Sequence, residues 1–226
     1  MSIKWDGITK SETLQRDEVK IRHRLADAAK IYDWQRTLEI LKERSDLINV
    51  TRPNGRAFYT PLHQAAHGNA PVRVVREMIA MGAWRTLKNA NGERPVDIAI
   101  RKRHQHLVRL LEPVYKTKVP LNTLHNIQQL FHATILSRAK DLIEKSDLKL
   151  PELEPLLEIS QPQMWFPVPG MYGGFNYWLD SEGNEAKLIS ESWCRVVGGS
   201  GQRHEITSNE SRLVTDYSAV QRRSLL

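Results

Sequence analysis

A stretch near residue 60 is partly written out again 34 residues later. Residues 59–68 read Tyr-Thr-Pro-Leu-His-Gln-Ala-Ala-His-Gly, and residues 91–100 read Asn-Gly-Glu-Arg-Pro-Val-Asp-Ile-Ala-Ile. Thr60 and Arg94, Pro61 and Pro95, and Ala65 and Ala99 all keep the 34-residue offset. Self-similarity at such a period constrains the chain more than composition does. Each copy is too small to bury its own apolar face, so the copies must stack. A degenerate earlier copy is legible too: Leu25, Ala28 and Ala29 match Leu62, Ala65 and Ala66 at an offset of 37. Trp34, Leu38 and Leu41 supply its second helix.

Within the clearest copy each residue type has a local reason. Thr60 suits a helix N-cap and Pro61 the first helical position, where a missing N–H costs nothing. Gly68 suits the left-handed residue that ends a helix. Pro71 starts a second helix with Val72, Val75, Met78 and Ile79 on one side, and Gly82 closes it. The run Thr60 to Ala65, T-P-L-H-Q-A, resembles the ankyrin repeat, a β-turn followed by two antiparallel helices. The resemblance covers about residues 25–112. It implies a short α-solenoid that binds a macromolecule through hairpins and groove, and it is silent on which one. In this family the histidine of the motif bonds nearby backbone, which is the role expected of His63.

Two departures from the family pattern mark candidate contacts. The extra length of the first spacing falls in residues 49–58, a turn-rich connection expected to stand out as a hairpin. Its Arg52, Asn54, Arg56 and Phe58, with His67, are candidate partner-binding residues. After Gly82 and Ala83, where ankyrin repeats favour a small polar residue, the chain has Trp84 and Arg85, with Lys88 close behind. Trp84 either anchors a partner or packs beneath the hairpin against Phe58 or Tyr59. In the third copy Arg94 replaces the capping threonine, a loss of about 1 kcal/mol that Asp97 partly offsets through the helix dipole. Residues 101–104, Arg-Lys-Arg-His, read as a solvated basic turn.

The flanks are less regular. Residues 1–24 read as an arm and capping helix, with capping-box spacing at Thr9 to Glu12. Residues 113–120 read as a linker. Residues 121–145 form an amphipathic helix expected to cap the stack, and the segment to residue 160 packs Leu153, Leu156 and Leu157. His125 and His132 share a helix face without a third ligand, too little for a metal site. Residues 161–217, rich in aromatics and glycine-containing turns, read as an antiparallel β meander, and 218–226 as a tail. The expected fold is therefore α+β: a short ankyrin-repeat α-solenoid, an added amphipathic helix and a small antiparallel β-rich C-terminal region.

The β-rich end offers two chemistries. Cys194 beside His204 would make an activated nucleophile. Alternatively Gly199, Ser200 and Gly201 form a backbone nest for an anion, flanked by Arg195, Arg203 and His204. The P-loop pattern is absent, and no cofactor is expected. Among 226 residues there is one cysteine, which fits a reducing cytoplasm, and no apolar run long enough for a membrane span. The net charge of +7 is carried by the front of the chain, which suits an acidic protein surface or a phosphate backbone without choosing between them; the repeat resemblance favours another protein with an acidic surface over nucleic acid. These readings favour a non-catalytic binder of adaptor or inhibitor and immunity type. The alternative is phosphate-ligand, nucleotide or nucleic-acid binding or processing by the C-terminal region, with the repeats as targeting arm.

Overall fold

The computed structural model describes residues 3–180, 186–195 and 199–218. The expected turn at 181–184, the first glycine of the turn at 198 and the tail beyond 218 lie outside the described residues. Among the described residues there are seven α-helices and one six-stranded sheet, an α+β fold. They form two compact units, Ile8–Val114 and Met1–Gly7 with Tyr115–Leu226.

The first unit is three helix pairs: α1 (Arg16–Lys30) with α2 (Trp34–Glu43), α3 (Pro61–His67) with α4 (Val72–Ala80), and α5 (Pro95–Arg101) with α6 (Gln105–Leu111). The first helices adjoin in the order α1, α3, α5 and the second in the order α2, α4, α6. The repetition is written in the backbone. Tyr32, Asn69 and Arg103 all have left-handed φ, at 64°, 55° and 62°. The residue after each donates its N–H to the carbonyl of Ala28, Ala65 or Ala99, which are the offsets read from the sequence. Leu25, Leu41, Leu62, Ala65, Val75, Met78, Ile98, Ala99 and Leu107 are almost wholly buried between the helices.

The caps follow from the residues present. Thr60 accepts the His63 N–H. His63 is buried: Nδ1 accepts from the Thr60 N–H at 3.3 Å and Nε2 faces the Glu93 carbonyl at 3.3 Å, where only a donor can sit. At α5 the cap is half a box, since Asp97 Oδ2 accepts the Arg94 N–H at 2.8 Å. Gly68 departs from expectation. Its φ is −90°, and the left-handed residue is Asn69. Glycine is required at 68 because a Cβ there would lie 2.2 Å from the ring of Tyr32. The expected boundary at residue 24 also fails, because α1 runs through it. The capping-box spacing at Thr9 to Glu12 leads only into a single 3-10 turn, Ser11–Thr13, and α1 begins after Gln15 without a side-chain cap.

In the second unit the sheet order is β1-β2-β3-β4-β5-β6: Ile3–Lys4, Gln163–Val168, Gly173–Asp180, Lys187–Cys194, Ser200–Ile206 and Ser211–Ser218. β1 runs parallel to β2, and every other pairing is antiparallel. Helix α7 (Leu121–Ser146) belongs to the sheet unit and packs on the sheet, touching β2, β4, β5 and β6. Its buried Phe131 meets Phe175 and Tyr177, with ring centroids 6.4 and 4.9 Å away. The helix breaks at Ala139, whose φ is −141°. The start of the chain, through Gly7, is likewise part of the sheet unit. Trp5 is buried and donates Nε1–H to the Lys149 carbonyl at 2.9 Å. The expected linker is held in place, with the N–H groups of Lys116 and Thr117 both directed at the Leu157 carbonyl. Leu153, Leu156 and Leu157 are buried as expected. No helix among the described residues is long and apolar enough to cross a membrane.

Candidate functional site

The connection from α2 to α3 is rooted by apolar residues and laced by polar ones. Val50 and Pro53 are buried. Asn49 Nδ2 donates to the Gly82 carbonyl and its Oδ1 accepts the Trp84 N–H, both at 2.9 Å. One side chain thereby ties this loop to the next, and the Ala90 N–H adds a second tie to the Ala57 carbonyl at 3.0 Å. The tip is pinned as well. Asn54 donates its backbone N–H to Thr9 and exchanges side-chain bonds with Ser11. The loop, expected to stand out as a hairpin, is thus a wall braced at its root and its tip.

Between this wall, α1 and the start of α3 lies a cleft of about 180 Å³. Leu25, Ala29, Val50, Phe58 and Pro61 give it an apolar floor, while Arg22, Lys30, Arg52 and Arg56 stand around it. Arg52 pairs with Asp27. Arg22 Nε donates to Glu18 Oε1 at 2.8 Å, and Arg44 reaches the other oxygen of the same carboxylate at 2.9 Å. Burial pushes the Glu18 carboxyl up, but the bonds from the two arginines outweigh it and hold the group below its ordinary range.

Comparison with known families decides what the middle pair of helices is. Residues 58–90 match the model described as "Ankyrin repeat". This segment is an ankyrin repeat. A solved structure described as the Bd0816 predatory endopeptidase from Bdellovibrio bacteriovorus in complex with immunity protein Bd3460 also matches. It is 20% identical, with 54% of this chain and 67% of that chain covered and a TM-score of 0.35, a likeness too small to bear on the role of this protein.

The ankyrin repeat opens at Phe58 and so supplies one side of the cleft. Of the residues expected to touch a partner, Arg52, Arg56 and Phe58 converge there. The others do not. Trp84 is 6% exposed and cannot serve as a surface anchor. Arg85 donates Nε–H to the Leu110 carbonyl at 3.0 Å, Asn54 is spent on Ser11, and His67 Nδ1 shares a hydrogen with Tyr32 Oη at 2.8 Å. Burial and the nearby cations Lys102 and Arg101 keep His67 below the usual histidine pKa. Lys88 is exposed but does not line the cleft. Missed altogether were Arg22, Leu25, Ala29 and Lys30. Arg22, Leu25 and Ala29, three and four residues apart, share one side of α1, and Lys30 follows at its end.

The constellations expected in the β-rich region come apart on register. Cys194 pairs with Ser200, while His204 pairs with Ser190. Four residues of strand separate the two positions, about 13 Å at the usual rise, so no Cys–His nucleophile is assembled. The anion nest fares no better. Arg203 lies opposite Glu191, Nη1 to Oε1 3.2 Å, with its guanidinium over the Trp178 ring, and the same strand spacing removes it from Arg195. The Ser200 hydroxyl accepts from Arg138 at 2.8 Å. Gly201 is an ordinary strand position whose glycine makes room for the Trp193 ring. His204 titrates low because it is partly buried and faces Arg138.

Proposed function

We propose that this chain is a non-catalytic protein-binding module of adaptor or inhibitor type. In this reading the three helix pairs act as a short ankyrin solenoid that grips an acidic segment of its partner in the cleft between α1 and loop 50–60. The observation that carries it is the cleft itself, an apolar floor with Lys30, Arg52 and Arg56 at its rim, inside a unit whose middle third is an ankyrin repeat. Charge supports the same partner chemistry: residues 8–114 hold 20 Lys and Arg against 12 Asp and Glu, a surplus that steers acidic surfaces toward it. A single cysteine suits work in a reducing cytoplasm.

Affinity capture with the full chain tests this. Wild-type protein should hold a stoichiometric partner more weakly as salt rises, and Arg52→Glu with Arg56→Glu should release it while the melting curve changes little, since exposed ion pairs such as Arg52–Asp27 contribute about 0–1 kcal/mol. A partner held equally well by the charge-reversed protein would refute the cleft.

A further inference from the structure

The cleft between α1 and loop 50–60 has room for one ring. It holds about 180 Å³, and a cavity of about 150 Å³ lined by Leu, Ile and Phe is enough to take benzene. Its floor has that apolar character: Leu25, Ala29 and Val50 line it, each no more than 5% exposed. A carboxylate pushed onto this floor would lose its water and find no donor, so acidic groups belong at the rim. Resting on the reading of this cleft as the partner site, we propose that it takes a single phenylalanine side chain from an extended peptide, with acidic residues on either side of it.

The rim charges place the acids. Lys30 ends α1 on one side and Arg56 stands in the loop on the other, both exposed. Among the described residues neither meets a carboxylate, whereas Arg52 is already matched by Asp27. The two cations therefore flank the opening and suit one carboxylate before the ring and one after it.

Gln64 separates a peptide from a free small molecule. It lines the cleft from α3, and among the described residues none hydrogen-bonds its side-chain amide. That amide carries both donors and an acceptor, which match the C=O and N–H of a peptide unit.

Phe58 selects an aromatic guest over an aliphatic one. Its half-buried ring lines the cleft on a backbone with left-handed φ of 52°, a conformation that a bulky residue adopts only under constraint. The adjoining Ala57 carbonyl is held by the Ala90 N–H at 3.0 Å. Strain of this kind gathers at ligand clamps, and a ring kept there offers an edge or offset face to an incoming ring.

Fluorescence polarisation of a labelled Ser-Glu-Asp-Phe-Asp-Glu-Ser peptide, titrated with the full chain at low and high salt, tests the proposal. The expected result is saturable binding that salt weakens, with alanine for the peptide phenylalanine costing about tenfold or more. Phe58→Asn should abolish binding while the melting temperature holds or rises, because asparagine accepts the left-handed backbone; a lower melting temperature with binding retained would make Phe58 a packing residue and overturn the proposal. The alanine peptide bound as tightly as the parent, and released by Arg52→Glu with Arg56→Glu, would keep the cleft as a site for acidic segments and overturn the aromatic plug. Hydrocinnamate bound as tightly as the peptide would overturn it in favour of a small ligand. No binding of the peptide overturns it too, and the acidic cleft then stands or falls on the affinity capture alone.

Discussion

Gly68 has a φ of −90°, open to any residue, yet a Cβ there would collide with the Tyr32 ring at 2.2 Å. Tyr32 is not free to yield, because its own backbone is left-handed at 64° and its hydroxyl is engaged by His67. Asn69, at φ 55°, carries the conformation that glycine would relieve. The two neighbours should therefore respond oppositely to substitution. Gly68→Ala should cost about 1–3 kcal/mol as an overpacked contact, and Asn69→Gly should be neutral or slightly stabilising. Urea denaturation of the two variants checks this, and the reverse order would return the left-handed role to Gly68. A residue 36 positions away decides the matter, which is why the sequence could suggest that the turn needs a glycine but not the reason for it. The same limit applies to Trp84. Its identity marks it as an interface residue, while its burial depends on packing that no local pattern records.

Among the elements, periodicity told which side of each helix is apolar and left open what covers it. The stripe Leu124, Ile127, Phe131 and Ile135 on α7 was plain, but its partner, the aromatic face of β2 and β3, belongs to strands some 40 residues on. The meander itself was readable because Gly- and Asn-rich turns separate its strands, whereas strand register, which separates Cys194 from His204, was not. α7 also carries a testable pH response. His132 Nε2 donates to the Pro151 carbonyl at 2.8 Å, and burial above all keeps this imidazole below the usual pKa. His67 and His204 are shifted the same way. The unfolded chain takes up protons near the ordinary value of about 6.5, while the folded chain resists. Stability is then fully present above that pH and declines as acid is added toward the folded values. His132→Gln, which cannot titrate and keeps a donor for Pro151, should flatten this decline below pH of about 6.5. An unchanged slope of unfolding free energy against pH would show that His132 is not the group responsible.

At the scale of the whole molecule, the chain starts in one unit, builds the other, and returns. Residues 3–7 supply β1 and Trp5, which is 3% exposed, bonds the Lys149 carbonyl and lies 5.8 Å beneath the Lys149 ammonium. Gly7 completes the seam by accepting the Lys149 N–H at 2.8 Å. The buried core of the repeats and the bonds that lace their loops are formed by residues within 8–114. Cutting the chain at these points should accordingly have unequal consequences. A fragment of residues 8–114 should fold cooperatively and keep its helical circular dichroism. A fragment of residues 115–226, deprived of Trp5, should melt well below the same unit in the intact protein. Trp5→Ala in the full chain isolates the cause, since losing a buried indole costs about 3–5 kcal/mol and should lower the transition of the sheet unit while leaving that of the repeats in place. Equal stability of the sheet unit with and without residues 1–7 would contradict the dependence, because the buried indole and its bond to Lys149 would then contribute nothing measurable.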